Sequence, residues 1–236
     1  MRSAAAAAFP RALLASDTEA AARSLIGAHL VRGSGPEARI GRIVEVEAYV
    51  GVDDLASHAR FGRTQRNAVM FGPPGVAYVY LVYGMYNCLN VVTEAEGRAA
   101  ALLVRAVEPV SGVAAMRAAR LDRAVLRVDR QGPEAIERAR RAMAAVPDRR
   151  LAAGPGLVCA AFSIDRTGDG LDLCDGAAPL HLESASGDDS LSLETGPRVG
   201  IDYAPEPWRS KPWRFFVPGN PAISATTART RREAAR

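Results

Sequence analysis

The sequence has almost no lysine. Lysine and arginine together number 30, but Lys211 is the only lysine, so arginine supplies the other cationic side chains. A genome of high GC content would produce this bias by itself, and the bias alone identifies no partner. It still limits chemistry, because a reaction that proceeds through a Schiff base requires an amine. The net charge of +4 indicates a polyanionic partner only weakly.

Cysteines, histidines and long apolar runs are also scarce. The three cysteines are odd in number and widely spaced, which argues against a disulfide framework and against zinc ligation by paired cysteines. The three histidines show no metal-ligand spacing, so we expect no metal site and no cofactor. No apolar run approaches the roughly 18 residues of a transmembrane helix. We therefore expect no membrane partner and a cytoplasmic location, associated with the nucleoid if the source is bacterial.

The composition is typical of a globular protein, with 48% hydrophobic and 24% charged residues. A length of 236 residues suits one large domain, and no repeat or linker marks a boundary. We predict a single domain over residues 12–225. The opening segment 1–11 has an apolar run that Pro10 interrupts, and we interpret it as a disordered tail rather than an export signal. Residues 226–236 are predicted to form a disordered basic tail.

Periodicity predicts an α+β domain with strands and helices in mixed order. A capping box in SDTE, residues 16–19, opens a short helix that ends near Leu25. The glycine-punctuated polar segment 51–75 is a long loop, and loops of that length are usually functional or disordered. Further predicted elements are strands at 42–50, 76–83, 87–93 and 99–107, helices at 112–121 (capped by Ser111) and 133–145, a short buried helix in GPGLVCAAF, and strand-and-turn patterns over 169–217.

The strand RIVEVEAYV carries two carboxylates. Strict alternation places two sets of side chains on opposite faces: Val44, Val46, Ala48 and Val50 on one, and Ile43, Glu45, Glu47 and Tyr49 on the other. The second face suits the solvated outer surface of an antiparallel sheet. It equally suits a general base that lies beside an aromatic platform in a pocket for a flat ligand.

Tyrosines are concentrated in one part of the chain. Five of the six tyrosines lie between residues 49 and 86, which favours a shared surface. Tyr78 and Tyr80 point the same way on a straight strand, and Tyr83 precedes a Gly84 turn. Such rings could form an aromatic sheet core. Alternatively, they could stack on nucleobases and place a wedge at a hairpin tip.

The long loop combines a histidine with basic residues. His58 is followed by Arg63 and Arg66, which could contact phosphates, although a lone loop histidine is often only a surface residue. Asn67 and Asn90 carry amides that could read a base edge, but asparagine beside turns is also common for conformational reasons.

Together these motifs resemble the alkyladenine (3-methyladenine) DNA glycosylases. The likeness rests on the run from RIVEVEAYV through RNAVMF to YVYLVYGMYNCLNVV, and continues in ALLVRAVEPVSG, GPGLVCAAF, GPRVGI and WRSKPWRFFV. It covers roughly residues 12–225. The resemblance implies one mixed domain with a curved antiparallel sheet, flanking helices and a protruding hairpin.

The resemblance also implies roles for individual residues. Glu47 is expected to act as the general base, with Arg105 steadying the sugar-phosphate or the water beside it. The hairpin would enter the minor groove through Tyr83 and Met85, while Arg63, Arg66 and Asn67 contact DNA. The remaining expected contacts are to the flipped base, from Tyr49, His58, Tyr80, Asn90 (which excludes normal guanine) and Val199 (through its main chain). Gln65 stands where the family pattern has proline, which puts the rigidity of the loop in question.

The implied reaction is hydrolysis of the N-glycosidic bond of a damaged purine in double-stranded DNA. We expect a monomer that leaves an abasic site without cutting the strand, since the only lysine lies far along the sequence from the tyrosines. Three alternatives remain. They are a glycosylase of the helix-hairpin-helix type, suggested by GPG at 154–156, a non-catalytic nucleic-acid-binding module, and a metal-dependent hydrolase.

Overall fold

A computed structural model describes residues 7–82, 84–185 and 191–224. Within these ranges the strands are β1 His29–Arg32, β2 Arg39–Val50, β3 Ala77–Val82, β4 Tyr86–Val92, β5 Ala100–Ser111, β6 Leu180–Glu183, β7 Glu194–Gly196 and β8 Arg214–Phe216. The helices are α1 Arg11–Leu14, α2 Thr18–Leu25, α3 Val113–Val128, α4 Pro133–Ala144 and α5 Pro155–Ala161. Short 3₁₀ turns, including His58–Phe61 and Ala68–Phe71, lie in the predicted loop 51–75.

The strands form one antiparallel sheet that curls into a half-barrel. Its order is β3-β4-β5-β2-β1-β6, and β8 joins β2 and carries β7 on its other edge. Strand β2 is central, because it pairs with β5 along one edge and with β1 and then β8 along the other. The predicted fold class, a single α+β domain with a curved antiparallel sheet and flanking helices, is confirmed.

A bulge in the middle of β2 changes its two faces. The pairing of β2 with β5 shifts register on both sides of Glu45. As a result Ile43 packs into the main core together with Val46, whereas Val44 packs against Ala106 and Ala222. The strict alternation expected for residues 43–46 is therefore wrong, because a bulge inserts a residue and re-aims the side chains around it. The solvated-face alternative is also wrong, because Glu45 and Glu47 are fully buried.

The helices pack their apolar side chains against those of the sheet and so complete the main core. Helix α2 buries Ala21, Ala22 and Leu25, which is the one-sided pattern of an amphipathic helix. Helix α5 buries Val158 and Cys159 and packs chiefly on β4, with further contacts to α3 and β5. The short buried helix predicted in GPGLVCAAF is confirmed, and so is the helix that begins at Pro133.

Two predicted helix caps are wrong. Helix α2 is capped by Asp17, whose Oδ1 accepts from the backbone N–H groups of Glu19 and Ala20, both at 3.1 Å, so it does not begin with the predicted Ser16 cap. Ser111 is the last residue of β5 and not a cap. Gly112, with a φ of 71°, precedes α3 and offers no side chain. The chain needs a left-handed residue there to turn from strand to helix.

The predicted N-terminal tail is partly ordered. The N–H of Phe9 donates to the carbonyl of Leu182 at 3.0 Å, the Phe9 side chain is buried, and Arg11 begins α1. Residues 7–11 therefore belong to the domain, which corrects the boundary predicted at residue 12. Residues 1–6 and the predicted tail 226–236 lie outside the described residues. Over the described ranges, none of the helices has the length and apolar character needed to span a bilayer.

Candidate active site

A cavity of about 1010 Å³ opens between the sheet, the loop 51–75 and helix α5. Its wall contains seven of the predicted site residues, namely Tyr49, His58, Arg66, Tyr80, Asn90, Arg105 and Val199. They come from β2, the long loop, β3, β4, β5 and the segment before β8. Residues that are far apart in the chain thus converge on one concave surface, which is where ligand sites are usually found.

Glu47 lies immediately behind this wall. Its Oε1 accepts the N–H of Val199 at 2.6 Å and lies 3.2 Å from Nη1 of Arg105, while its Oε2 accepts the Tyr49 hydroxyl at 3.0 Å. All three donors line the cavity, whereas Glu47 itself is fully buried. A water molecule that reaches the carboxylate from the cavity therefore has to pass between these three residues.

Burial dominates the electrostatics of Glu47. Removal from water raises the pKa of its carboxyl above the ordinary value, and this outweighs the opposing effects of Arg105 and of the bond from Val199. Arg105 responds in the complementary way, because Glu47 and Glu45 raise the pKa of its guanidinium against the effect of burial. A carboxylate with a raised pKa is a stronger base than a solvated one, and proton abstraction requires this property.

Glu45 has a different environment two residues earlier. Its Oε1 accepts from Arg105 Nε at 3.2 Å, from Arg214 Nη1 at 3.3 Å and from Ser224 Oγ at 2.9 Å. Its Oε2 accepts the N–H of Ser224 at 2.6 Å. Glu45 is thus held by two arginines and by Ser224. It contacts Arg105 at Nε, whereas Glu47 contacts the same guanidinium at Nη1.

The aromatic part of the wall is built by packed rings. His58 meets Tyr80 edge-to-face with ring centroids 4.5 Å apart, and Tyr78 lies 5.3 Å from Tyr80. Nδ1 of His58 is 3.1 Å from the Tyr78 hydroxyl. Burial and the nearby Arg66 lower the pKa of His58 to about 4, and burial raises the pKa of Tyr80 well above its ordinary value. The rings are therefore uncharged at neutral pH.

Asn90 and Cys88 complete the floor near Tyr80. Asn90 is buried on β4 and its Nδ2 donates to the carbonyl of Tyr78 at 3.0 Å, which fixes the orientation of its amide. The Cys88 thiol is hydrogen-bonded to Tyr80, and burial raises its pKa to about 11. The sequence did not indicate that Cys88 lines the cavity, because Cys88 lies in a strand pattern that any buried strand residue would fit.

A buried ion pair that the sequence did not reveal supports the wall. Nη1 and Nη2 of Arg198 lie 2.6 and 2.9 Å from the two carboxylate oxygens of Asp54, and neither side chain is exposed. Nη1 also donates to the carbonyl of Ala48, and the guanidinium lies 4.7 Å from the ring centroid of Tyr49. The pair therefore connects the strand that bears Tyr49, the loop that bears His58 and the segment that bears Val199.

Asn67 has a different role from the expected DNA contact. Its side chain is 2% exposed, with Nδ2 donating to the carbonyls of His58 and Gly62 and Oδ1 accepting the N–H of Thr64. The expectation that its amide contacts DNA is corrected, because the amide closes the loop instead. These bonds order the loop although Gln65 replaces proline. Arg63 and Arg66 are exposed beside it.

The hairpin bend between β3 and β4 projects beside the cavity. Gly84 has a φ of 67°, and the N–H of Met85 donates to the carbonyl of Val82 at 3.0 Å, which closes the turn. Met85 is 53% exposed at this bend. Tyr83 lies outside the described residues.

Three further features bear on a helix-hairpin-helix glycosylase, on strand cleavage by a lysine and on a metal-dependent hydrolase. The GPG segment does not form a turn between two long helices. It begins the seven-residue helix α5, and Ala153 immediately before it forms a bridge to Ala106 of β5. The ammonium of Lys211 lies 4.3 and 4.0 Å from the ring centroids of Trp208 and Trp213, and Lys211 does not line the cavity. Among the described residues, no group of three or more His, Cys, Asp or Glu side chains is arranged to hold a metal ion.

Comparison with known proteins gives concordant matches. The family model described as methylpurine-DNA glycosylase matches residues 12–221. A protein of Methanocella arvoryzae is 42% identical over 217 residues, which cover 92% of this chain and 95% of that protein. Proteins of Myxococcus xanthus and Legionella pneumophila (strain Lens) are each 39% identical, with coverage of 92% of this chain and of 93% and 98% of their own lengths. All three are named as candidate 3-methyladenine DNA glycosylases.

Proposed function

Because the chain belongs to the methylpurine-DNA glycosylase family, we propose that it removes alkylated purines of the 3-methyladenine type from double-stranded DNA. The reaction is hydrolysis of the N-glycosidic bond, which leaves an abasic site. The observation that carries the proposal is the position of Glu47, a buried carboxylate bonded to three groups of the wall of a ring-lined cavity. A protein that only bound DNA would gain nothing from a buried carboxylate facing a polyanion.

The first step is extrusion of the damaged nucleotide from the duplex. Extrusion costs a few kcal/mol and less for a damaged, weakly paired base, which favours lesions. Tyr83 and Met85 at the hairpin bend enter the minor groove and fill the space that the nucleotide leaves. Arg63 and Arg66 contact phosphates of the duplex. The enzyme acts as a monomer in this scheme, because one cavity and one hairpin are sufficient.

The second step is recognition of the base between Tyr49 on one side and the packed rings of His58 and Tyr80 on the other. Stacking on an aromatic ring contributes roughly 1–3 kcal/mol per base. A purine methylated on a ring nitrogen carries positive charge, so electron-rich, uncharged rings attract it by a cation–π interaction. Asn90 excludes normal guanine by crowding its exocyclic amine, and the main chain at Val199 contacts the lesion.

The third step is attack by water. The glycosidic bond breaks through a cationic sugar, as in sugar hydrolysis generally. Glu47 stabilises that charge and takes the proton of the water that attacks the anomeric carbon. Arg105 and the N–H of Val199 keep Oε1 in place, so Oε2 is the oxygen that receives the proton once the Tyr49 hydroxyl moves aside for the water.

The same enzyme does not cut the DNA strand. Strand cleavage through a Schiff base needs an amine beside the anomeric carbon. The only lysine of the sequence, Lys211, does not line the cavity, and its ammonium lies against the rings of Trp208 and Trp213. The abasic product therefore leaves intact.

The test is a set of duplex oligonucleotides that each contain one damaged purine: 3-methyladenine, hypoxanthine or an etheno adduct. Products are scored for strand breaks before and after treatment with alkali. We expect breaks only after alkali, and at least one lesion should be released far faster than undamaged purines. No release from any lesion contradicts the proposed function. Breaks that appear without alkali contradict the absence of lyase activity.

A further inference from the structure

Two arginines of helix α3 hold the backbone of the hairpin bend. Nη2 of Arg123 donates to the carbonyl of Met85 at 2.7 Å, and Nη2 of Arg127 donates to the same oxygen at 3.0 Å. Nη1 of Arg127 donates to the hydroxyl of Tyr86 at 2.7 Å. One main-chain oxygen at the bend thus receives two charged donors, and charge-assisted hydrogen bonds of this kind are stronger than neutral ones.

The ring of Tyr86 provides a second attachment point. The guanidinium of Arg127 lies 4.1 Å from the ring centroid. Gly156 of helix α5 also touches the ring, because a Cβ placed at Gly156 would lie 2.7 Å from Cδ1 of Tyr86. Only a glycine permits this approach without a shift of the ring. We call Arg123, Arg127, Tyr86 and Gly156 the hairpin brace.

A wedge requires mechanical support. A two-stranded ribbon is marginally stable by itself, and the bend extends past the part of β4 that pairs with β5, which begins at Asn90. The wedge can hold a base out of the duplex only if the ribbon does not yield. The brace attaches the bend to helices α3 and α5 of the folded core. The bend therefore keeps its position during extrusion because the whole domain, and not the ribbon alone, resists its displacement.

We propose that the hairpin brace positions the bend for base extrusion, so that Arg123 and Arg127 are positioning residues and not phosphate contacts. This inference rests on the proposed function and adds to it two arginines, Arg123 and Arg127, that do not line the cavity. If the arginines acted only on phosphates, their positive charge would matter and the contact between Gly156 and Tyr86 would not. If they act as a brace, an uncharged change at Gly156 produces the same defect.

The experiment measures extrusion directly, in a Glu47→Gln background that leaves the base uncleaved. A duplex that contains a fluorescent etheno-adenine is titrated with protein to saturation, and the gain in fluorescence reports the fraction of extruded base. Saturation removes the effect of weaker binding. Two variants are compared: Arg123→Ala with Arg127→Ala, and Gly156→Ala, whose net charge is unchanged.

Each variant has a matched control. Arg138→Ala with Arg140→Ala removes the same charge from helix α4, where the two exposed side chains lie 3.9 and 4.0 Å from Glu134 and Glu137. Gly168→Ala adds a methyl group where the nearest atom would be 3.8 Å away. We expect both brace variants to reduce the extruded fraction at saturation, with an extrusion equilibrium about tenfold less favourable. Both controls should keep the parent value.

The outcomes separate the two proposals. If the parent gives no fluorescence gain, base extrusion fails and with it the proposed function. If the parent gives the gain and both brace variants match it, the brace is overturned while the proposed function stands. A loss in the arginine variant alone, or an equal loss in the arginine control, assigns the effect to charge and also overturns the brace. Thermal unfolding confirms that each variant is folded.

Discussion

Glu45 and Glu47 lie two residues apart on strand β2, and both are fully buried, but they face different surroundings. The carboxylate of Glu45 accepts four hydrogen bonds from two arginines and Ser224. That of Glu47 contacts three groups, all of which form the wall of the cavity. The bulge at Glu45 separates the two environments.

The difference shows how one strand provides both a structural and a reactive carboxylate. Glu45 has opposite charges and hydrogen bonds on both oxygens, which compensate for its removal from water. Glu47 is less well compensated, so burial raises its pKa. Arg105 contacts both carboxylates, and Glu45 holds it in position beside Glu47. Exchanging or removing these groups should therefore have distinct consequences.

The largest expected effect is on catalysis by Glu47→Gln. If Glu47 is the general base, its loss should slow base release by about a thousandfold, in the middle of the range for this type of catalysis. Binding of the lesion duplex should stay equal or become tighter, because a negative charge facing a polyanion has been removed. Single-turnover release and a binding titration test the two parts. Release at the parent rate would show that Glu47 is not the base.

The next effect is on stability and concerns Glu45. Glu45→Gln leaves the positive charges of Arg105 and Arg214 without their carboxylate, and breaking such a buried pair costs about 3 kcal/mol or more of unfolding free energy. Urea unfolding measures it. Glu137→Gln, which loses an exposed ion pair at 4.0 Å, is the control and should change stability by less than about 0.5 kcal/mol. Equal stabilities for the two variants would show that the buried carboxylate of Glu45 stabilises the fold no more than an exposed one.

A smaller effect is expected from the ring that faces the base. Tyr80→Leu keeps an apolar side chain but removes the aromatic face, so affinity for the lesion duplex should fall by about 2 kcal/mol, or roughly thirtyfold. Tyr80→Phe keeps the face and should bind within about threefold of the parent. The measurement is titration in the Glu47→Gln background. Similar losses in both variants would assign the effect to the hydroxyl instead.

The pH dependence follows from the raised pKa of Glu47. The carboxylate is active when deprotonated, so release of a cationic methylpurine should fall about tenfold for each pH unit below that pKa, which lies above the ordinary 4.5. His58, with a pKa of about 4, should not produce this fall. The acid limb should therefore persist in His58→Gln. Its disappearance there would transfer the titration to the histidine.

The smallest effect is a gain in stability. A carboxyl whose folded-state pKa is raised stabilises the fold below its unfolded pKa, and that contribution is lost as the pH rises through the folded pKa. Ionised Glu47 thus opposes folding at pH 7, and Glu47→Gln should be more stable than the parent at that pH. The gain should shrink as the pH falls below the ordinary pKa of 4.5, because Glu47 then becomes protonated in both states. Destabilisation at pH 7 would contradict the electrostatic assignment.

Local patterns predicted the aromatic rings and the carboxylate of the site. The alternation in EVEAY and YVY, together with the motifs shared with a family, indicated Tyr49, Tyr80 and Glu47, because neighbours in a strand lie at fixed spacing. The ion pair of Asp54 with Arg198 spans 144 residues, and no local pattern determines such a contact. The bulge at Glu45 depends on pairing with β5, which the strand sequence alone does not contain. Asn67 was assigned to DNA because its bonds to the loop appear only after folding.

The most direct test is a crystal structure of Glu47→Gln bound to duplex DNA with one alkylated purine. The central claim predicts that the purine lies between Tyr49 and the packed pair of His58 and Tyr80. It also predicts an ordered water within hydrogen-bonding distance of the residue 47 side chain, on the path to the anomeric carbon. A purine that occupies the cavity while residue 47 stays sealed behind Tyr49, Arg105 and Val199, with no water in reach, would contradict it.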